Sequence, residues 1–385
     1  MNKVFYKILL PFIFFTTGVY SQEPEKALAD SFMFKGLLSS YAHYNPDNIP
    51  KLWAGARYIP QINYNIKLKK GMLIDFEASA NLYGNVGMSA HDTSTANGDI
   101  KPYRLWARYS GNQFELRVGL QKINFGSASM LRPLMWFDQI DPRDPLRLTD
   151  GVWGVLGRYY FLNNLNIWAW VLYGNDNLKG WETVKTRADF PEMGGRIQTP
   201  LPRGEAAVSY HFRQADMDDD TYPSSYGEIP ENRIGFDARF DLAIGCWIEG
   251  SWIHKGEDLG PLTNQEIINL GADYTLGLGN GLYIVYEHLL ASADPKPFEF
   301  SNTLQFSLLS LSYPIGLFDN LSAILYYDWT NENVYSFLNW QRQFDNLTLY
   351  LMGYWNPRDY YIPSQGTDQT LFAGRGIQVM LVFNH

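Results

Sequence analysis

The stretch RYIPQINYNIKL, residues 57–68, shows the pattern that decides the fold of this chain. From residue 61 onward, polar Gln, Asn, Asn and Lys alternate with apolar or aromatic Ile, Tyr, Ile and Leu. Because consecutive side chains of a β-strand point to opposite faces, this period of two predicts a strand with one apolar and one polar face. Pro60 cannot donate a backbone hydrogen bond to a neighbouring strand, so we expect a β-bulge there.

The same alternation recurs along the chain and predicts about eighteen strands. The candidate strands lie near residues 31–41, 56–68, 72–83, 101–109, 113–121, 152–162, 165–174, 193–200, 205–214, 232–241, 245–255, 265–276, 281–291, 301–313, 320–330, 333–342, 345–356 and 371–384. Sixteen strands is the alternative, because the first strand and the strand around Tyr335 are less regular. Helical periodicity is nearly absent, and we find no repeat of fixed length that would indicate a β-propeller.

The connections between these strands alternate in length, which is a second and independent signal. Tight turns such as Lys69-Lys70-Gly71 and Ser110-Gly111-Asn112 lie between long links such as residues 122–151. Barrels of the bacterial outer membrane have short periplasmic turns, longer outer loops and an even strand number. The predicted fold class is therefore all-β: a transmembrane antiparallel up-and-down β-barrel of 18 strands, or alternatively 16, with a long infolded loop.

The composition agrees with a barrel that faces lipid. Aromatic residues make up 16% of the 385 residues. Charged residues make up 18%, whereas ordinary soluble domains have about 25%. The single cysteine, Cys246, excludes an intrachain disulfide and a Cys-x-x-Cys metal site. The formal net charge of −9 disfavours a nucleic-acid partner.

The N-terminus has the features of a secretory signal peptide. Lys3 and Lys7 form a basic start, and the apolar stretch that follows is too short to span a bilayer. We predict that residues 1–21 are a signal peptide and that residues 22–385 form one barrel in the bacterial outer membrane.

The longest connection, residues 122–151, is too apolar for a solvated outer loop and too aromatic for a disordered one. Loops of this length are commonly functional, and we predict that it folds into the barrel and narrows it. Its candidate constriction residues are Arg132, Trp136, Asp138, Asp141, Arg143, Asp144, Arg147 and Asp150. Their charges could bind a passing polar solute or pair with one another and pin the loop to the wall. A calcium site formed by Asp138, Asp141 and Asp144 is a third possibility, but our prediction is that no metal is bound.

Charged side chains alternate with apolar ones along the strands, so they should all lie on the face that points to the barrel interior. A charge on the lipid face would cost about 2–4 kcal/mol at the bilayer midplane. The predicted pore-lining residues are Arg57, Lys67, Asp75, Glu77, Arg104, Arg108, Glu115, Arg117, Arg158, Arg196, Arg213, Asp237 and Arg239. They could brace the interior through salt bridges or create a field across a pore.

Two groups of apolar residues are expected to meet the interior as well. Four aromatic residues fall at or near positions whose side chains should point inward: Trp168, Trp170, Tyr326 and Tyr350. They could form a surface for sugar rings or pack under the infolded loop. The strands around Leu289 and Leu308 are apolar on both faces, so we expect them to contact a plug or an infolded loop.

Motifs for catalysis are missing from the sequence. There is no Gly-x-Ser-x-Gly elbow, His-Glu-x-x-His pair, P-loop or dinucleotide fingerprint. We therefore expect neither catalytic residues nor a cofactor. The alternatives that remain open are an exported glycan-binding or glycan-degrading β-protein, and a closed barrel with an adhesion or assembly role.

In strand number, long infolded loop and an interior that carries arginines and aromatic residues, the mature chain resembles medium-sized outer-membrane porins of about eighteen strands. These include the alginate-export type and the substrate-specific carboxylate channels. The resemblance is one of architecture rather than of a diagnostic motif. It implies passive and possibly selective diffusion of a polar solute, a carbohydrate or a carboxylate, without a cofactor.

The same resemblance implies the partners: the lipid bilayer and lipopolysaccharide, the polar small-molecule or oligosaccharide solute, and the barrel-assembly machinery. The family usually ends its last strand on an aromatic residue. Here Phe383 fits, but Asn384 and His385 follow it.

Overall fold

The computed structural model describes residues 31–89, 94–217, 227–359 and 369–385. The predicted signal peptide, residues 1–21, lies outside them. The described strands are β1 (Ser31–Tyr44), β2 (Leu52–Lys67), β3 (Leu73–Met88), β4 (Thr95–Ser110), β5 (Phe114–Gln121), β6 (Val152–Tyr160), β7 (Asn166–Leu172), β8 (Glu192–Leu201), β9 (Gly204–Asp216), β10 (Glu228–Asp241), β11 (Gly245–Lys255), β12 (Asn264–Leu276), β13 (Leu282–Asp294), β14 (Thr303–Pro314), β15 (Asp319–Asp328), β16 (Asn333–Gln343), β17 (Leu347–Trp355) and β18 (Arg375–Asn384). Short 3₁₀ turns cover Lys69–Gly71, Gly260–Leu262 and Gln369–Phe372.

The strands form one closed antiparallel barrel. Each strand pairs with its neighbours in chain order, and β1 pairs with both β2 and β18, so that no edge remains open. The number of strands is eighteen rather than the alternative of sixteen. Among the described residues there is no helix that is long and apolar enough to cross a membrane.

The predicted alternation of connection lengths is confirmed. Every connection from an even-numbered strand to the next strand is a turn of two to five residues. The long connections, at residues 122–151, 173–191 and 356–374, all lie at the opposite end of the barrel. In outer-membrane barrels the end with short turns faces the periplasm, so we call the two ends the short-turn end and the long-loop end.

The two faces of the sheet separate apolar from charged side chains. On β10, Ile234 and Phe236 are 45% and 43% exposed on the outer face, whereas Arg233 and Asp237 are 1% and 2% exposed on the inner face. An apolar outer band around a polar interior is what a bilayer requires of a barrel.

The bulge expected at Pro60 is not where the sequence predicted it. Tyr58 pairs with Leu82 and Gln61 pairs with Ser79, so β2 and β3 keep one register on both sides of the proline. The register shift lies one strand further, between β3 and β4. A proline removes a donor but adds no residue, so the ladder can skip the position and continue.

Candidate functional site

The connection 122–151, called the constriction loop below, lies inside the barrel, where a carboxylate of the wall holds its backbone. Glu287 of β13 is fully buried. It accepts hydrogen bonds from the backbone N–H groups of Ser129 at 2.7 Å, Met130 at 3.1 Å and Leu131 at 2.6 Å. Hydrogen bonds to an ionised acceptor are among the stronger ones in proteins. The wall thus fixes three consecutive residues of the loop.

A second carboxylate, Glu249 of β11, holds the loop on both sides of this point. It accepts hydrogen bonds from the backbone N–H groups of Ala128 at 2.8 Å and Leu134 at 2.7 Å. Close by, the indole N–H of Trp136 donates to Ser251 of the same strand at 2.9 Å. Sequence reasoning did not identify either glutamate as a partner of the loop backbone, because each is only one more polar residue in an alternating strand.

Apolar contacts complete the attachment of the constriction loop. Phe125 and Phe137 belong to a buried cluster with Trp170 and Leu172 of β7. Leu131 belongs to another cluster, with Leu289 of β13, Phe306 and Leu308 of β14 and Tyr326 of β15. The prediction that the doubly apolar strands contact an infolded loop is therefore confirmed.

The charges of the constriction loop pair mainly within the loop. Arg132 binds Asp138 at 2.9 Å, and Arg143 binds Asp141 at 2.6 Å. Two of the three aspartates considered for calcium are therefore engaged by guanidinium groups. Among the described residues there is no cluster of three or more His, Cys, Asp or Glu side chains that could hold a metal ion.

The remaining charged residues of the loop, Asp144, Arg147 and Asp150, have no ionic partner within the loop. Asp150 binds Lys101 of β4 at 2.6 Å. Asp144 accepts the backbone N–H of Leu146 at 2.9 Å, and burial raises the pKa of its carboxyl group. Arg147 is exposed and lines a cavity.

All predicted pore-lining residues lie at inward-facing positions of their strands, and most of them form ion pairs with a neighbouring charge. Ion pairs join Arg108 to Asp75, Arg117 and Arg158 to Glu115, Arg196 to Asp237, Arg213 to Glu231 and Arg239 to Asp273. Arg104 donates to the carbonyl oxygen of Thr149 at 2.9 Å and so holds the end of the constriction loop. In this arrangement opposite charges cancel locally along the wall.

The four inward aromatic residues have different surroundings. Trp170 and Tyr326 are 2% and 0% exposed and pack under the constriction loop. The guanidinium of Arg158 stacks on Trp168, 3.8 Å from the ring centre. Tyr350 borders a cavity, where its ring remains available to a solute.

A second infolded connection, residues 173–191, was not predicted. Its Lys179 binds Glu192 of β8 at 3.0 Å, and its Glu182 binds Arg233 of β10 at 2.7 Å. These side chains are buried, so they form an ionic cluster inside the barrel, next to β8 and β10 and near the long-loop end. The sequence offered only a weak signal for it. A polar loop and strands with inward-facing arginines are both common, so together they do not predict an infolded loop.

Gly180 brings the two infolded loops into contact. Its φ is +50°, and a Cβ atom there would overlap the carbonyl oxygen of Met135. Nearby, the indole N–H of Trp181 donates to the carbonyl oxygen of Arg132 at 2.9 Å. The second infolded loop therefore packs directly against the constriction loop.

Replacing Gly180 by alanine is expected to destabilise this contact by more than about 1 kcal/mol, because the new Cβ adds a clash to an unfavourable φ. Guanidinium unfolding and protease cleavage within residues 173–191 would measure the change. The matched control is Gly174→Ala, where φ is +76° but nothing lies within 4 Å of the added atom. Equal effects of the two variants would show that the contact with Met135 is unimportant.

Two cavities remain open beside the constriction loop. The outer cavity, of about 500 Å³, borders β1–β4 and includes Asn85 and Asn97 near the long-loop end. The inner cavity, of about 590 Å³, borders β13–β17 and includes Asn320 and Gln341 near the short-turn end. Both cavities touch the loop segment 143–145. This segment therefore lies between them.

Arg143 is held rigidly at this boundary. Its guanidinium lies 5.6 Å from the ring centre of Phe337 and 5.2 Å from that of Phe372. Its Nε and Nη2 atoms donate hydrogen bonds to the carboxylate of Asp141, at 2.7 and 2.6 Å. A side chain with this many partners forms a firm constriction rather than a mobile one.

Comparison with known proteins identifies the fold only through structure. No protein-family model matches the chain, and no curated protein matches it in sequence. OccK5 of Pseudomonas aeruginosa has a TM-score of 0.57 at 11% identity, covering 92% of this chain and 97% of that chain. OmpT of Vibrio cholerae, an in-vitro folded outer membrane protein in its trimer form, has a TM-score of 0.52 at 12% identity, covering 93% of this chain and 100% of that chain.

An anion-selective porin from Comamonas acidovorans has a TM-score of 0.50 at 10% identity, covering 93% of this chain and 100% of that chain. Identities this low establish a common fold and nothing finer. The closed barrel of eighteen strands and these likenesses together show that the chain has the fold of a bacterial outer-membrane porin.

Proposed function

We propose that the protein is a passive channel of the bacterial outer membrane for polar solutes, a carbohydrate or a carboxylate. The observation that carries the proposal is the pair of cavities that meet the loop segment 143–145 from the two ends of the barrel. A solute would enter the outer cavity, pass Arg143 and leave through the inner cavity. The apolar outer face supports contact with lipid and lipopolysaccharide, and assembly by the barrel-assembly machinery is part of the proposal.

The proposed path follows one side of the barrel. On the side of β6–β12, the two infolded loops, their aromatic clusters and the ionic cluster around Glu182 fill the interior. On the side of β13–β18 and β1–β4, the two cavities leave room for a solute. The channel that we propose is therefore eccentric, with the constriction loop as one of its walls.

Refolded protein in planar bilayers should show stepwise conductance, and liposomes that contain it should admit sugars or carboxylates. Protein-free liposomes and heat-unfolded protein are the controls. A protein that inserts into the bilayer but gives neither conductance nor solute flux would refute the proposal.

A closed barrel is the second candidate, and the filled interior favours it. Arg143 is fixed between two rings, and its side chain is only 2% exposed. This candidate predicts normal membrane insertion without conductance. Deletion of residues 125–148 would then convert a silent barrel into a conducting one, whereas an open channel would conduct before the deletion.

A further inference from the structure

We infer that the inner cavity is a subsite for a neutral polyhydroxylated solute, of the saccharide class, rather than for a carboxylate. The inference rests on the proposed channel function and chooses between the two solute classes that it leaves open. Three features of the cavity support it: the polar groups of its wall, one acceptor without a partner and the balance of the nearby charges.

The wall of the inner cavity over β14–β17 carries hydroxyl and amide groups in two rows. Ser312, Ser322 and Asn339 are direct neighbours across three strands. Asn320, Gln341 and Tyr350 form the second row, two residues closer to the short-turn end. Since neighbouring strands lie about 4.8 Å apart, the rows present a dense grid of uncharged donors and acceptors.

One acceptor in this grid has no partner. The side-chain oxygen Oδ1 of Asn339 is buried and makes no hydrogen bond. A buried acceptor left in this state costs about 1–3 kcal/mol. Rotation of the Asn339 amide toward the cavity would let a hydroxyl group of a solute donate to this oxygen, whereas a carboxylate only accepts and cannot serve as its donor.

The charges beside the inner cavity do not form an anion site. They all come from the constriction loop: Arg143, Asp144 and Arg147. Arg143 already makes a bidentate contact with Asp141 through its Nε and Nη2 atoms. Asp144 and Arg147, of opposite sign, remain. Strong recognition of a carboxylate uses a bidentate contact with a guanidinium. Arg147 is exposed and forms no ion pair among the described residues, but the carboxyl group of Asp144 lines the same cavity and would compete with an anionic solute for it.

The experiment records single-channel currents of the refolded full-length protein, with raffinose or citrate added on the short-turn side. We expect raffinose to cause discrete blocking events and citrate to cause none. Asn339→Leu, which keeps the branching at Cγ and removes the amide, should lower the frequency of the raffinose events at least tenfold.

The matched control is Gln198→Leu, the same change of chemistry on the inward face of β8 at the opposite wall. It should leave the raffinose events unchanged, and heat-modifiable gel mobility would confirm that both variants form barrels. Block by citrate but not raffinose, or equal raffinose block in Asn339→Leu and wild type, would overturn the inference while the channel function stands. Absence of any conductance would overturn the channel function and the inference with it.

Discussion

Replacing Glu249 and Glu287 together by alanine is expected to release the constriction loop and to raise single-channel conductance several-fold. The change removes the acceptors of five backbone N–H groups, those of Ala128, Ser129, Met130, Leu131 and Leu134. Each unpartnered buried donor costs about 1–3 kcal/mol. Five such losses come to about 5–15 kcal/mol, which is of the same order as the stabilisation from burying the apolar side chains of the loop, each of which contributes about 1.5–3 kcal/mol. The loop is therefore expected to leave the wall in a much larger fraction of the molecules.

Planar-bilayer recording of the double variant and the wild type measures this effect. Glu205→Ala is the control, because Glu205 is an exposed glutamate at the start of β9 whose side chain bonds, among the described residues, only to Gln198. The milder variant Glu287→Gln keeps one acceptor oxygen and should give a smaller increase. Unchanged conductance and unchanged current noise in the double alanine variant would show that the glutamates do not hold the loop.

Replacing Glu231 by alanine is expected to destabilise the barrel by about 3–5 kcal/mol, the usual cost of removing one partner from a buried ion pair. Glu231 is 1% exposed. It accepts hydrogen bonds from Arg213 at 2.6 and 2.8 Å and from Arg233 at 2.8 Å. Without it, two buried guanidinium groups lose a shared counter-charge.

Guanidinium unfolding of the refolded protein in detergent would measure the loss for Glu231→Ala. Asp241→Ala is the matched control, since Asp241 is 71% exposed in its side chain and meets Arg239 at 3.4 Å. Exposed ion pairs contribute about 0–1 kcal/mol. A similar loss of stability in the two variants would contradict the role given to the buried cluster.

Much of the fold could be predicted because its signals are local. Arg233 and Asp237 alternate with Ile234 and Phe236, and a strand places such neighbours on opposite faces whatever lies elsewhere in the chain. Connection lengths are local as well, and they distinguished the two ends of the barrel. The apolar character of residues 122–151 indicated a loop that needs burial.

The contacts that shape the candidate site could not be predicted in this way. Leu134 and Glu249 are 115 residues apart in sequence, and Ser129 and Glu287 are 158 apart. No local pattern marks either glutamate as a ligand of a loop backbone. The position of Gly180 against Met135 depends in addition on where two separate loops meet inside the barrel.

The sequence by itself determined the all-β class, the inward direction of the charged strand side chains and the asymmetry of the two ends, because alternation and turn length act between near neighbours. It left eighteen and sixteen strands open, and the closed sheet decided for eighteen. Only the tertiary structure decided which inward charges cancel, which glutamates hold the constriction loop and where the two cavities remain. Closing eighteen strands into a ring brings distant residues together, and those meetings depend on the register of all the strands at once.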